Sequence, residues 1–176
     1  ERLIKLVLKE LNIDDKRFPP RNILSEIKSM DINIDITVGN DKKVMERLSA
    51  EYEHVRNIHF YNFVDQWKML ANHEIFISHG GLSGVREAIL CETPMIVYPS
   101  NYHDYQVGLA IERNNIGIMI KDRKLSHGNT CEVKNAIYKI LSTDRYTKKI
   151  KEVKEEFTDL YKKDKIISYL NEIRIN

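Results

Sequence analysis

The sequence has few of the features that mark disulfide-rich, membrane-spanning or nucleic-acid-binding proteins. Its 176 residues include only two cysteines, Cys91 and Cys131, which are too few for a disulfide framework and fit a reducing, cytoplasmic compartment. No apolar run approaches the about 20 residues of a membrane-spanning helix. Charge of neither sign dominates, since 28 Lys and Arg oppose 26 Asp and Glu, so nothing favours nucleic acid as a partner. The composition is that of an ordinary globular protein, and the length fits a single domain over 1–176.

The most informative stretch runs from Ile75 to Pro99. It opens with an apolar run of strand length, which stops at the pair Gly80-Gly81. A segment with apolar residues at helical spacing follows, Pro94 closes it, and a second apolar run ends the stretch. This order predicts a βαβ unit. Adjacent glycines let the backbone approach a ligand, and the free N–H groups and dipole of a first helical turn favour an anion, so the pattern predicts a phosphate site.

Apolar patterns elsewhere predict how the chain is organised around that unit. Residues 1–30 are predicted as leading helices, starting with a helix over 2–12, because apolar residues there recur at helical spacing: Leu3, Ile4, Val7, Leu8 and Leu11. Residues 31–120 alternate between predicted strands and helices, and 129–176 are predicted as C-terminal helices. The alternation predicts an α/β fold with a doubly wound parallel sheet, which binds ligands at the carboxyl ends of its strands. The strand over 31–38 alternates apolar and polar residues, so we place it near an edge.

The order of residues in the central stretch and beyond it is more specific than its pattern. His-Gly-Gly is followed by Ser83, then by Glu87-Ala88 and the two prolines, and later by Asp104 and Gln106. This string resembles the donor-binding signature of GT-B nucleotide-sugar glycosyltransferases, specifically the UDP-glycosyltransferase group, with the MurG/Alg13-type N-acetylglucosaminyltransferases as cousins. The glycine pair alone would also fit close packing of a helix on a strand.

The resemblance implies a nucleoside subsite built from two segments. Phe63 would stack on the uracil ring, the backbone at Val64 would bond the base edge, and Gln66 would face the ribose. Glu87 resembles the carboxylate that binds both ribose hydroxyls. Asp65 stands where the family usually has proline. For Phe63 a core position, and for Gln66 a loop-capping role, remain as alternatives.

The resemblance also implies a subsite for the diphosphate and the sugar. His79 would donate a hydrogen bond to a diphosphate oxygen, unless it only ties loop to loop. Backbone N–H groups would meet the phosphates at four positions: Gly80, Gly81, Ser83 and Gly84. Asp104 and Gln106 resemble an adjacent Asp-Gln pair that holds hydroxyls of the donor sugar, although Tyr105 separates them here.

One part of the resembling domain has no counterpart in this prediction. The family's domain begins with a central strand that ends in a Gly-Ser or Gly-Thr loop, whereas residues 1–30 are predicted to be helical. We therefore predict that the first central strand is absent from this chain and lies upstream of Glu1. Its absence would leave a gap in the sheet between the strand of Ile34 and the strand of Ile75.

As a whole, the resemblance implies the donor-binding half of a glycosyltransferase. Such an enzyme moves a sugar from a UDP-sugar to an acceptor hydroxyl, by an inverting reaction that needs neither a metal ion nor another cofactor. No catalytic base is assigned to this chain, because it would belong to an N-terminal acceptor-binding half or to a partner subunit. One alternative is a MurG/Alg13-like subunit that acts on a lipid-linked acceptor. This interpretation is compatible with peripheral membrane association. A second alternative is a non-catalytic nucleotide-sugar-binding module.

Overall fold

A single parallel sheet organises the part of the chain that the computed structural model describes, which is residues 5–9, 27, 30–39, 41–121 and 131–162. Within these ranges the strands are β1 Lys5–Lys9, β2 Asn33–Thr37, β3 Ile58–Tyr61, β4 Ile75–Ser78, β5 Met95–Val97 and β6 Gly117–Met119. The helices are α1 Lys42–Glu51, α2 Gln66–Ala71, α3 Leu82–Leu90, α4 Tyr102–Arg113, α5 Cys131–Leu141 and α6 Arg145–Lys162. The strand order is β3-β2-β1-β4-β5-β6, and every neighbouring pair is parallel. This is the order of a doubly wound sheet, as the alternation predicted.

The first strand corrects the prediction of leading helices. β1 is a strand that pairs with β2 on one side and with β4 on the other, so the central strand is present in this chain. The predicted gap was in the right place, because β1 fills it. The prediction failed because Leu6-Val7-Leu8 is a short apolar run, and periodicity alone does not separate a buried strand from a helical turn. Most of the remaining predicted helical residues in 1–30 lie outside the described residues.

Apolar side chains cover both faces of the sheet. One cluster joins β2 and β4 to α1 and α5, and its members include Ile34, Ile36, Ile77, Leu48 and Ile137. The other cluster joins β4 and β5 to α2, α3, α4 and α6, and its members include Phe76, Val97, Leu70, Ala88 and Ile150. Successive residues of β4 therefore enter opposite clusters, as the two-residue period of a strand requires. All four of its residues are buried, which explains why β4 appears in the sequence as a continuous apolar run.

A polar cluster explains why β2 looked like a strand near an edge. The strand lies second from the edge, and Asp35 occupies its polar face. The Oδ2 atom of Asp35 lies 2.8 Å from His73 Nε2, and its Oδ1 atom lies 3.1 Å from His59 Nδ1. Burial alone would raise the pKa of Asp35, but the hydrogen bonds and charges of His73 and then His59 outweigh it and hold the pKa below its usual value.

The longest described helix, α6, is amphipathic. Ile150 is fully buried in the second cluster, with Val153 and Phe157 packed against it. On its polar side, Lys154 Nζ lies 2.7 Å from a carboxylate oxygen of Glu92, and Lys151 Nζ lies 3.8 Å from the other. These ion pairs connect α6 to the C-terminal end of α3. None of the described helices is both long enough and apolar enough to cross a membrane.

The lowered pKa of Asp35 predicts how its contribution to stability depends on pH. A carboxyl group whose pKa is lower in the folded than in the unfolded state contributes stability above the unfolded pKa and loses it as the pH falls through the folded pKa. We expect Asp35→Asn to reduce the free energy of unfolding, with a deficit that is greatest above about pH 4 and shrinks at lower pH. Urea unfolding at a series of pH values measures it, with the exposed Asp31→Asn as control. A deficit that does not change with pH would contradict the assignment.

Candidate functional site

The turn between β4 and α3 lies at the carboxyl edge of the sheet, beside the point where the strand order reverses. Gly81 is the N-cap of α3, and within the described part of the chain no side chain caps this end of the helix. The N–H groups of its first turn are therefore available to a ligand, and the helix dipole favours a negative charge there. A cavity of about 240 Å³ opens at this point, lined by residues of β4 and of the start of α3. The local arrangement is suited to an anion.

The two glycines of this turn are required for different reasons. Gly80 has φ +94°, and a Cβ atom there would lie 2.7 Å from Val97 Cγ1. A Cβ atom at Gly81 would lie 2.7 Å from His79 Nε2, so the imidazole ring rests against the start of α3. The N–H of Gly80 donates to Ser78 Oγ at 3.2 Å and is already engaged within the turn. Gly80 therefore determines the conformation of the turn. The N–H groups that are available to a ligand belong to the residues after Gly80.

Gly84 allows α3 to pack closely on Phe76 of β4, and it lies beside Gln66 of α2. A Cβ atom there would lie 3.2 Å from the Phe76 ring and 3.6 Å from Gln66 Nε2. Glu87 follows one turn later on the same side of α3. Gln66 Nε2 and Glu87 Oε2 are both buried, and neither has a hydrogen-bond partner among the described residues. Leaving such a group unpaired costs about 1–3 kcal/mol, so these two atoms call for an explanation.

An amide donor and a carboxylate acceptor without partners form a complementary pair. A hydroxyl group both donates and accepts, so neighbouring hydroxyls of one ligand can satisfy a carboxylate oxygen and an amide N–H together. The residue types therefore fit a vicinal diol, such as that of a ribose. The predicted roles of Gln66 and Glu87 stay predictions, and the unpaired atoms are their physical support.

The predicted base-binding segment lies between β3 and α2. Phe63 is 84% exposed, so it is not a core aromatic, and its ring is accessible for stacking. Val64 is half-buried beside it. The side chain of Asp65 accepts a hydrogen bond from the N–H of Lys68 at 3.2 Å and is the N-cap of α2. A capping role explains why an aspartate stands where the family usually has proline.

The predicted sugar-binding pair separates into a buried and an exposed residue. Asp104 is 4% exposed, and its Oδ2 atom accepts hydrogen bonds from the Ser100 N–H at 3.3 Å, from Asn101 Nδ2 at 2.8 Å and from Ser100 Oγ. Asn101 in turn accepts from the Asp104 N–H at 3.0 Å and caps α4. Asp104 therefore shapes the loop after β5, whereas Gln106 and Ser83 are exposed. An asparagine three residues before an acidic residue was the sequence signal for this cap.

The fold and the glycine turn together define a Rossmann-like domain of the GT-B type. Over residues 1–163 the chain matches the family model described as "Glycosyltransferase family 28 C-terminal domain", and it belongs to this family.

Curated relatives of this chain are much longer than it is. A Bacillus subtilis (strain 168) protein described as "Uncharacterized UDP-glucosyltransferase YdhE" is 25% identical over 111 residues, which are 63% of this chain and 27% of that protein. A Caenorhabditis elegans protein described as "Putative UDP-glucuronosyltransferase ugt-50" is 27% identical over 101 residues, which are 56% of this chain and 19% of that protein. The chain thus spans about a quarter or less of the length of these relatives.

Solved structures share the fold at low sequence identity. The spinosyn forosaminyltransferase SpnP has a TM-score of 0.76 at 13% identity, covering 98% of this chain and 44% of SpnP. Os79 from O. sativa, solved with UDP and deoxynivalenol-3-glucoside, has a TM-score of 0.74 at 16% identity, covering 86% of this chain and 37% of Os79. The likeness establishes the fold of the chain as that of part of these enzymes.

The geometry of the two glycines predicts that their alanine variants differ. Gly80→Ala forces a Cβ atom into a left-handed conformation and against β5, so we expect it to lower the free energy of unfolding by about 1–3 kcal/mol. Gly81→Ala only displaces the end of the His79 side chain, and its cost should be about 1 kcal/mol or less. Chemical denaturation of both variants measures the difference. Equal losses would mean that the backbone at Gly80 is not constrained as described.

Proposed function

We propose that this chain is the nucleotide-binding part of a glycosyltransferase that moves a sugar from a UDP-sugar to an acceptor hydroxyl. The observation that carries the proposal is the pair of buried atoms Gln66 Nε2 and Glu87 Oε2, which have no hydrogen-bond partner among the described residues. Gln66 Nε2 would lie 3.6 Å from a Cβ atom at Gly84 near the start of α3, and Glu87 follows Gly84 by one turn. A nucleoside diphosphate supplies partners for both sets of groups. The two adjacent hydroxyls of its ribose can bond Gln66 and Glu87, and its negatively charged phosphates can accept hydrogen bonds from the N–H groups of α3.

The proposed binding mode follows from the order of these groups along the sheet edge. The exposed Phe63 ring stacks on the uracil, and Gln66 and Glu87 hold the ribose. His79 and the first turn of α3 hold the diphosphate. Asp104 acts indirectly by shaping the loop after β5, so Gln106 is the predicted residue of the pair that reaches the sugar. Uridine as the nucleoside is supported by the UDP-glucosyltransferase description of the YdhE relative and by the UDP in the Os79 structure.

The proposed chemistry is inverting and independent of metal ions. A base deprotonates the acceptor hydroxyl, whose oxygen attacks the anomeric carbon while the bond to UDP breaks. The α3 amides and helix dipole stabilise the negative charge that develops on the leaving diphosphate, which is the task a cation performs in other enzymes. The base and the acceptor site belong, in this proposal, to an N-terminal half or a partner subunit. A cytoplasmic location stays a prediction.

Glu87→Ala tests the ribose contact. A hydrogen bond to a charged group contributes about 1.5–3 kcal/mol, so the variant should bind UDP more weakly by that amount. It should also lose discrimination between UDP and 2′-deoxy-UDP, because the carboxylate no longer distinguishes them. Calorimetry with a chelator present measures both affinities and tests metal independence. Glu46→Ala, an exposed glutamate on α1, is the matched control. Unchanged discrimination in Glu87→Ala would show that the carboxylate is structural.

Transfer assays test the proposal that this chain binds the donor and that the catalytic base lies outside it. The full-length protein should release UDP in an acceptor-dependent manner, because it supplies the base. Residues 1–176 alone should bind the donor and transfer no sugar to an alcohol. A labelled-donor assay over a panel of acceptors compares the two. Transfer by residues 1–176 would place the base within this chain, and binding without turnover by the full-length protein would favour a non-catalytic binding module.

A further inference from the structure

One carboxylate joins the two ends of the segment that carries the predicted nucleoside-binding residues. Asp35 lies on β2, and its Oδ1 atom lies 3.1 Å from His59 Nδ1 and 3.4 Å from the Tyr61 hydroxyl, both on β3. Its other oxygen, Oδ2, lies 2.8 Å from Nε2 of His73, which follows α2. We call Asp35 with these three partners the Asp35 clip. The chain leaves the clip at Tyr61 and returns to it at His73.

The bond at the returning end is buried and directional. His73 is 7% exposed, and its two ring nitrogens both face acceptors, the Met69 carbonyl oxygen and the Asp35 carboxylate. Carbonyl and carboxylate oxygens only accept hydrogen bonds, so the imidazole ring is the donor of this group. The imidazole thereby links the last turn of α2 to β2. A charge-assisted bond of this kind is stronger than a neutral one.

The residues between the two ends are those proposed to meet the nucleoside. Phe63 and Val64 lie in the loop after Tyr61, and Gln66 begins α2. Other hydrogen bonds also hold the same segment, among them those from the Val38 N–H to the Tyr61 carbonyl and from Thr93 Oγ1 to the Leu70 carbonyl, both at 2.9 Å. Loss of the clip therefore loosens the segment without releasing it.

We propose that Asp35 and His73 are positioning residues, which hold the segment from Tyr61 to His73 in the arrangement that binds the nucleoside. The inference rests on the proposed function, and it assigns no contact with the ligand to either residue. Without the clip, the segment occupies its binding arrangement for a smaller fraction of the time, and the apparent affinity falls by that fraction. The diphosphate-binding turn belongs to β4 and α3, outside the clip, so its own affinity is unaffected.

The test compares two ligands in the full-length protein. UDP uses the nucleoside and diphosphate subsites together, whereas inorganic pyrophosphate uses the diphosphate subsite alone. Asp35→Asn should raise the Kd for UDP about tenfold. The Kd for pyrophosphate should change by no more than about twofold, which is within the scatter of a change remote from its subsite. The ratio of the two constants is the readout, because a general loss of stability does not change it.

Two further variants complete the experiment. Glu92→Gln is the matched control, because it breaks another link between distant segments, the bonds to Lys151 and Lys154, and should leave the ratio unchanged. His59→Ala removes one of the two contacts that Asp35 makes with β3 and leaves that of the Tyr61 hydroxyl. Because His59 is half-exposed, this variant should fold even if Asp35→Asn does not. It should shift the ratio in the same direction.

Each outcome decides between the proposals. Parallel losses for both ligands, or an unchanged ratio in the variants that fold, would overturn the positioning role while leaving UDP binding intact. A folded wild-type protein that binds no UDP would instead overturn the proposed function, and the clip proposal with it. A selective loss of UDP affinity, absent from Glu92→Gln, would support the clip.

Discussion

Parallel hydrogen bonding between β1 and β4 is the constraint on which the rest of the structure depends. The strand order reverses at this pair. The helix that follows β2, α1, packs on one face of the sheet, and the helices that follow β4 and β5, α3 and α4, pack on the other. A crevice therefore opens at the carboxyl ends of the strands. The start of α3, which no described side chain caps, lies at that crevice. One pairing of strands therefore brings the predicted anion-binding turn and the predicted nucleoside-binding segment to the same edge.

Local patterns predicted those parts of the fold in which local chemistry decides the structure. The run of β4, the glycine turn and α3 were predictable, because each has its own strand, turn or helix signal. The helix predicted in place of β1 shows where this reasoning stops, since a short apolar run becomes a strand only through its two neighbours. The role of Asp35 was hidden, because its partner His73 is 38 residues away and is found only by a tertiary contact. The role of Asp104 is local, since Ser100 and Asn101 lie within four residues of it.

The candidate site combines features that oppose stability with features that restore it. Gln66 and Glu87 each leave a buried polar atom unpaired, and Gly80 adopts a backbone conformation that few other residues tolerate. Around them, Asp65 and Asn101 cap α2 and α4, and Asp104 accepts several hydrogen bonds within its loop. A ligand that satisfies the unpaired atoms binds the folded state alone, so its binding free energy adds to the stability of the protein.

The ion pairs between α6 and Glu92 affect the order in which the parts around the candidate site form during synthesis. Lys154 and Glu92 are 62 residues apart in the chain, so closing this link carries a loop-closure entropy that the local contacts of β4 and α3 do not. During synthesis the N-terminal part of a chain emerges first. Helix α3 therefore emerges from the ribosome before α6, and until then its apolar side lacks the cover that Ile150 provides in the folded protein. Until α6 arrives, this is the surface that a chaperone would protect.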